Sequence, residues 1–152
     1  MRFELWASII SYWRGCGLPI REGAPVESIK VFEEKYHVAL PSDFAEYLQA
    51  VDGTGSNGCD KNLFSFWSLS EIRPVHDVLG ATHPHRFAYP NCFVFADWSL
   101  NCWVYAIRVT SDTTFEGPVY RVGDSVISGR MEADSFLEFM MKYVTAPESV
   151  VS

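Results

Sequence analysis

The spacing of apolar residues predicts helices near the start of the chain. Apolar side chains recur at three- and four-residue intervals until Gly15 and Gly17 interrupt the pattern. Their positions are Phe3, Trp6, Ile10 and Trp13. A second helix is predicted over about residues 25–37, with Pro25 at its first helical position. Its apolar stripe consists of Ile29, Phe32 and Tyr36.

Two further helices follow the same spacing. The third begins after Pro41 and ends at Gly53. Its buried positions are predicted at Phe44, Tyr47, Leu48 and Val51. The last helix begins at Ser135, which forms a capping box with Glu138, and the tail after Thr145 is predicted to be frayed. Its buried positions are predicted at Phe136, Phe139, Met140 and Tyr143.

The middle of the chain is rich in the aromatic and β-branched residues that strands favour. The predicted strands are 63–67, 92–96, 102–109, 119–122 and 125–128. Residues 97–101 form the loop of a hairpin, and residues 80–91 are interpreted as an irregular loop. Ser68 and Glu71 repeat the capping-box signal, which predicts a short helix that Pro74 ends.

This order of elements predicts an α+β fold. The expected architecture is a single domain over residues 1–152. At its centre we expect an antiparallel sheet of about four to six strands, with the N-terminal helices and the C-terminal helix packed on it.

The composition argues against several classes of protein. Of the 152 residues, 48 % are apolar and 15 % are aromatic, which favours a folded chain over a disordered one. The net charge of −7 argues against a nucleic-acid partner, and no apolar stretch is long enough to cross a membrane. Four scattered cysteines and a beginning without a secretory signal predict a cytoplasmic protein with reduced thiols.

The acidic residues are concentrated in two segments. Residues 22–60 carry a net charge of −6 and residues 111–152 carry −4, whereas the other two segments are slightly basic. This distribution has two interpretations, which the charge alone leaves open. It either keeps the protein soluble or steers it toward a basic partner.

Two motifs suggest ligand chemistry at first sight. Residues 53–58 match G-x-G-x-x-G, but a helix precedes them and a strand follows, so a helix-to-strand loop is expected instead of a dinucleotide site. His83 and His85 form one closely spaced pair, but no second pair completes a zinc site. Cys102 is predicted to lie opposite about Ala96 of the hairpin, and Cys92 and Cys102 are expected to be buried and inert.

No catalytic motif is present in the sequence. Signatures of serine hydrolases, zinc proteases and kinases are absent. Cys16 lies in a Gly-Cys-Gly turn, where a reactive thiolate would need a nearby cation. The carboxylates of Glu33, Glu34, Asp43 and Glu46 are interpreted as acids on solvated helix faces. We therefore expect a non-enzymatic protein without a cofactor or a bound metal.

Several ordered motifs resemble the SUKH superfamily, which includes yeast cell-wall-assembly regulators and bacterial toxin-immunity proteins. The first half carries Ile29-x-x-Phe32-Glu33, Leu40-Pro41-x-Asp43-Phe44-x-x-Tyr47-Leu48 and Asp52-Gly53. The second half carries Phe64-x-Phe66-Trp67-x-Leu69-x-Glu71-Ile72, Phe93-x-Phe95-Ala96-Asp97, Trp103-x-Tyr105-Ala106-Ile107, Gly117-Pro118-Val119-Tyr120 and Ser135-Phe136-x-Glu138-Phe139. The resemblance covers about residues 26–144. The loop after Asp97 and the segment 74–91 depart from the family pattern.

The resemblance implies an α+β fold without catalytic residues and a non-enzymatic immunity protein. Such a protein neutralises a cognate toxin, here expected to be a basic nuclease or deaminase, since an acidic inhibitor can substitute for phosphate charge. The candidate partner-binding residues are Glu34, Asp43, Glu46, Asp52, Asp97 and Trp98. The alternative is a regulatory scaffold that binds a partner without inhibiting it. A third hypothesis, an enzymatic or small-molecule role, has no motif in its favour.

Overall fold

A computed structural model describes residues 2–55, 58–79, 91–123 and 129–152. Within these residues it contains five α-helices, a 3-10 helix and six strands. The helices are α1 (Arg2–Gly15), α2 (Val26–Tyr36), α3 (Ser42–Ala50), α4 (Val75–Leu79) and α5 (Phe136–Thr145), followed by the 3-10 helix Pro147–Val150. The strands are β1 (Phe64–Phe66), β2 (Arg73–Pro74), β3 (Cys92–Trp98), β4 (Trp103–Arg108), β5 (Val119–Val122) and β6 (Arg130–Ala133).

The six strands form one antiparallel sheet. Its main path runs β1-β3-β4-β5-β6, and β2 pairs with β3 beside β1. Phe64 lies opposite Trp98 at one end of β3, while Arg73 lies opposite Val94 nearer the other end. The predicted α+β fold, with helices before and after a central antiparallel sheet, is confirmed.

An aromatic core fills the space between the sheet and the helices α1, α3 and α5. Phe136 of α5 packs against Phe44 of α3, with ring centroids 4.8 Å apart, and against Phe95 of β3 at 5.3 Å. Trp13 of α1 packs on Phe66 of β1 at 5.1 Å. A smaller apolar cluster, which includes Val75 of α4, lies on other residues of the sheet. Burial of these large side chains supplies the main driving force for folding.

The four long helices that the sequence predicts are confirmed, with two corrections. Phe3 does not join the buried stripe of α1, because the side chain is 78 % exposed in the first turn, and Ile9 is buried in addition to Trp6 and Trp13. Pro25 is the N-cap residue of α2 and not its first helical residue. The predicted cap of α5 is present, since the Ser135 hydroxyl accepts a hydrogen bond from the Glu138 amide at 3.1 Å.

The short helix predicted after Ser68 is wrong. Glu71 does reach back as in a capping box, because its carboxylate accepts bonds from the Ser68 amide at 3.1 Å and the Ser68 hydroxyl at 2.9 Å. The next residues, however, pair with β3 as strand β2, so the helix is limited to a turn. A short helix, α4, begins only after Pro74.

The hairpin differs from its predicted boundaries. Strand β3 extends to Trp98 and β4 begins at Trp103, because these two indoles face each other and stack at 4.4 Å. The residue opposite Ala96 is therefore Tyr105 and not Cys102. The expectation of buried cysteines holds for Cys92 but is wrong for Cys102, which is exposed.

Two expectations for the last third of the chain also need correction. Strand β6 was not predicted, because Arg130-Met131-Glu132 lacks an apolar signal, and the predicted strand 125–128 lies outside the described residues. The tail is not frayed, since Val150 is buried and its carbonyl accepts a bond from the Tyr105 hydroxyl at 2.5 Å. Of the predicted loop over 80–91, only Asn91 belongs to the described residues.

The backbone at Gly53, the first residue of the motif at 53–58, requires a glycine. Its φ of +74° is left-handed, and a Cβ atom there would lie 2.6 Å from the Phe66 carbonyl oxygen. Any side chain would push α3 away from β1, so glycine is required by a close approach of two backbones. The motif therefore begins in a helix-to-strand connection, as expected.

The part of the chain that the structure describes contains no helix that is long and apolar enough to cross a membrane.

Leu48 tests whether α3 is packed in the core as described. Its side chain is fully buried. We expect Leu48→Ala to lower the free energy of unfolding by about 2–5 kcal/mol, because it removes apolar contacts and leaves a cavity. The neighbouring Gln49 is exposed, so Gln49→Ala should change this free energy by no more than about 0.5 kcal/mol. Urea denaturation of both variants measures the difference, and equal stabilities would contradict the packing.

Candidate functional site

A groove lies between α2 and the segment of residues 69–73. Its volume is about 520 Å³. Apolar side chains, among them Phe32, Leu69 and Ile72, line it together with charged side chains. The charged lining residues are Glu27, Lys35, Asp52 and Arg73. A concave surface with an apolar lining and a few polar groups of both signs suits a peptide segment or a protein side chain.

Two sets of contacts fix the positions of the walls of this groove. On one side, Phe32 and Tyr36 of α2 pack on Phe93 of β3, with ring centroids 5.4 and 4.9 Å apart. On the other side, the Asp52 carboxylate accepts a hydrogen bond of 2.7 Å from the Leu69 amide. Contacts of the lining residues themselves thus fix both walls of the groove.

One exposed apolar residue lies on the helical wall. Val31 is 63 % exposed and lines the groove. It does not belong to the stripe by which α2 packs on the fold, in which Ile29 and Phe32 are buried. Because it contributes little to the core, its side chain is available to a molecule in the groove.

A smaller cavity of about 170 Å³ adjoins the groove, and Arg73 lines both. Inside it, the Trp67 indole donates a hydrogen bond of 2.7 Å to the Asp97 carboxylate. The Arg73 guanidinium lies 5.3 Å from the centroid of the Trp67 ring, in cation–π range. Asn101, at the end of the β3–β4 turn, also lines this cavity. The groove, the small cavity and the hairpin turn therefore form a continuous strip, which we call the rim surface.

Burial raises the pKa of the Asp97 carboxyl above its usual value. Hydrogen bonds from Trp67 and from the Asn101 amide oppose part of this rise, whereas the nearby Glu71 carboxylate adds to it. The rise indicates that the charged form is costly in its present surroundings. A cation brought close to Asp97 would reduce that cost.

The turn between β3 and β4 has an unusual backbone. Ser99, Leu100 and Asn101 have φ values of +52°, +56° and +69°, and Leu63 in the adjacent turn has +74°. Left-handed backbone costs a residue other than glycine about 1 kcal/mol or more. Four such residues in two neighbouring turns store strain that the surrounding contacts must hold.

Three of the six candidate residues lie outside the rim surface. Glu34 is exposed on α2 and lines a separate cavity of about 240 Å³ with Lys30 and His37. Glu46 is half-buried, where it pairs with Arg2 at 3.0 Å and accepts a bond from the Trp6 indole at 2.9 Å.

Asp43, the third of them, serves the fold. It is buried, and its two carboxylate oxygens accept bonds from the Phe44 amide at 2.7 Å and the Leu137 amide at 2.9 Å. Leu137 lies in the first turn of α5, so Asp43 caps that helix from α3. The expectation that its carboxylate is solvated is wrong.

The other three candidates lie on or beside the rim surface. Asp52 lines the groove and Asp97 lines the small cavity. Trp98 stands at the end of β3, where it stacks on Trp103 and donates a bond of 3.0 Å to the Asn62 carbonyl. The sequence analysis named two acids that line the rim surface, Asp52 and Asp97. It did not name the side chains that line the surface between them.

The missed lining residues are Val31, Trp67 and Arg73. Only Val31 had a signal in the sequence, because it is an apolar residue outside the stripe of its helix. The contact between Trp67 and Arg73 depends on how β1 and β2 both pair with β3, which no local pattern encodes.

Among the described residues, no group of three or more His, Cys, Asp or Glu side chains could hold a metal ion. The proposed pair His83 and His85 lies outside them. A buried polar cluster does exist in the core, where the Tyr143 hydroxyl donates to Asp60 and accepts a bond of 2.8 Å from the Trp13 indole. This cluster joins α1, α5 and the turn before β1, and it does not line the rim surface.

Asp97→Asn tests the effect of burial on this carboxyl. Because the folded state retains the proton to a higher pH than the unfolded chain, the free energy of unfolding of the wild type should fall as the pH rises from the usual value of 3.8 through the raised pKa. The asparagine variant lacks this titration. Its stability relative to the wild type should therefore increase between about pH 4 and pH 7, as measured by urea denaturation. A pH-independent difference would contradict the raised pKa.

Comparison with protein families identifies a match for most of the chain. Residues 23–142 match the SMI1 / KNR4 family (SUKH-1). Among individually characterised proteins, no sequence matches the chain significantly. The matched region includes α2, α3, the whole sheet and most of α5, and it covers well over half of the chain. The chain therefore belongs to the SMI1 / KNR4 family (SUKH-1).

Proposed function

We propose that this protein is a bacterial immunity protein that binds and neutralises a cognate toxin through the rim surface. The observation that carries the proposal is the groove of about 520 Å³ between α2 and residues 69–73 in a member of the SUKH-1 family. The family is consistent with a non-catalytic module of toxin immunity or of regulation. Side chains of both signs around an apolar lining suit recognition of another protein.

The charge of the chain supports a basic partner. The segment 22–60, which includes α2 and α3, has a net charge of −6. Its exposed acids include Glu22, Glu27 and Glu34. A toxin that cleaves or modifies nucleic acid presents a positive cleft, so the exposed acids of this segment would attract it from a distance. Nuclease and deaminase toxins are therefore the class that we favour.

The free thiols support a cytoplasmic site of action. None of the four cysteines forms a disulfide, and Cys59 and Cys102 are exposed. Exposed thiols persist in a reducing compartment, whereas secreted proteins usually pair them. A cytoplasmic immunity protein would protect the producing cell by binding the toxin there.

Val31→Glu tests the groove as the binding site. A carboxylate on the helical wall would be brought against the apolar lining, so we expect the dissociation constant for a toxin encoded beside this gene to rise about tenfold or more. Met141→Glu on α5 is the matched control, because Met141 is also an exposed apolar residue, at 52 %, but lies outside the groove. Its effect should stay within about twofold.

The same experiment separates immunity from a regulatory role. Isothermal titration calorimetry measures binding, and a toxicity assay in cells measures neutralisation. Binding without neutralisation would favour the regulatory scaffold. Equal weakening by both substitutions would contradict the placement of the site in the groove.

Electrostatic steering predicts a kinetic effect. Reversing Glu22 and Glu34 to Lys should lower the association rate several-fold at low salt and much less at high salt, since exposed charges are screened beyond about 8–10 Å. Glu46 is unsuited to this test, because it holds Arg2 and Trp6. Asp134→Lys with Glu148→Lys is the control, since both residues are exposed acids far along the chain from α2. Equal rates for the two double variants in stopped-flow measurements would contradict steering by the segment 22–60.

A further inference from the structure

The turn between β3 and β4 exposes an apolar side chain at its tip. Leu100 is 90 % exposed, more than any other large apolar residue described. It lies in the middle of three consecutive left-handed residues, with φ of +56°. The exposure of Leu100 does not stabilise the fold, because an exposed leucine buries almost no apolar surface. Its left-handed backbone does not stabilise the fold either, because glycine would adopt this conformation without strain. Strain of this kind is retained where function requires a particular side chain.

Contacts around the turn fix its shape. The Ser99 amide donates to the Leu63 carbonyl at 2.9 Å, and the Cys102 amide donates to the Trp98 carbonyl at 3.0 Å. The Asn101 amide donates to the Asp97 carboxylate at 3.3 Å. The turn is thus anchored to the end of β3 and to the turn before β1. A turn whose backbone is already fixed loses little backbone entropy when it binds, which favours the use of its tip as an anchor.

The surroundings of Leu100 define the chemistry of what it contacts. The turn residues 99–102 carry no charge, and Leu63 in the adjacent turn is also exposed, at 43 %. An uncharged tip with two leucines is complementary to an apolar recess and would gain nothing from a charged surface.

We propose that Leu100 is an apolar anchor that inserts into an uncharged recess of the toxin, next to the region that faces the groove. This inference rests on the proposed function and adds the chemistry of the partner at one end of the rim surface. The tip is continuous with the rest of the rim surface, which supports the proposal. Asn101 of the turn lines the small cavity, and Arg73 links that cavity to the groove. The acidic segment 22–60 attracts the toxin, and the uncharged tip contributes to its retention.

A second copy of this chain fits the tip less well. A stable dimer usually buries about 800 Å² on each partner. The exposed side chains of Leu100 and Leu63 offer far less area than that. The tip is therefore suited to be one part of a larger interface, such as the rim surface.

Leu100→Gly tests the proposal, because it removes the side chain and relieves the strained backbone at the same time. The melting temperature should stay the same or rise, while the dissociation constant for the toxin encoded beside this gene should increase about tenfold or more. Ser99→Gly is the matched control for flexibility in the same turn, and its affinity should change by no more than about twofold. Leu100→Met keeps an apolar side chain of similar size and should retain the wild-type affinity.

Each other outcome overturns the proposal. Unchanged affinity of Leu100→Gly would show that the tip does not contact the toxin, and a lower melting temperature would show that Leu100 serves the fold. Equal weakening by Ser99→Gly would assign the effect to rigidity of the turn. A wild-type dimer that Leu100→Gly dissociates would identify a second copy as the occupant. If the wild type binds no such toxin, the proposed function itself fails and the anchor with it.

Discussion

The packing of α5 against α3 is the contact on which the rest of the structure depends. Phe136 and Phe44 meet at 4.8 Å, and Asp43 caps the start of α5 with a bond to the Leu137 amide. This junction closes the aromatic core over the sheet together with α1. Helix α2 lies to one side, where it packs on β3 through Phe32 and Tyr36. The rim surface exists because the core is completed without filling the space between α2 and residues 69–73.

The edges of the sheet explain why we place binding in a groove and not on a strand. Beside β1, Thr54 exchanges hydrogen bonds with Phe66 through its amide and hydroxyl groups, at 2.9 and 3.0 Å. Beside β6, the Lys142 ammonium donates to the Glu132 carbonyl at 2.8 Å. Occupied edges do not accept an additional strand readily. We therefore propose that side chains in the cavities of the rim surface, and not a sheet edge, recognise a partner.

The sequence predicted the parts of the fold that depend on local periodicity. It did not predict the segments whose structure depends on which strand they pair with. The stripes of α3 and α5 were correct, because burial of one helix face follows from spacing alone. The segment after Ser68 carries a helix signal but pairs with β3, and β6 has no apolar pattern to reveal it. In the candidate site, Asp52 and Asp97 were anticipated as acids, whereas Trp67 and Arg73 come together only through the sheet. Backbone strain at Leu100 was not visible in the sequence, because a hairpin loop can take many conformations.

Hydrogen–deuterium exchange of the protein, alone and in complex with the toxin encoded beside its gene, tests the location of the binding surface most directly. If the rim surface is the interface, amide protection on binding should rise in three separate segments of the chain: α2, residues 68–73 and the turn at 98–103. The outer side of α5 and the 3-10 helix at 147–150 should exchange as in the free protein. Protection confined to α1 or α5, with unchanged exchange in α2 and in the β3–β4 turn, would contradict it.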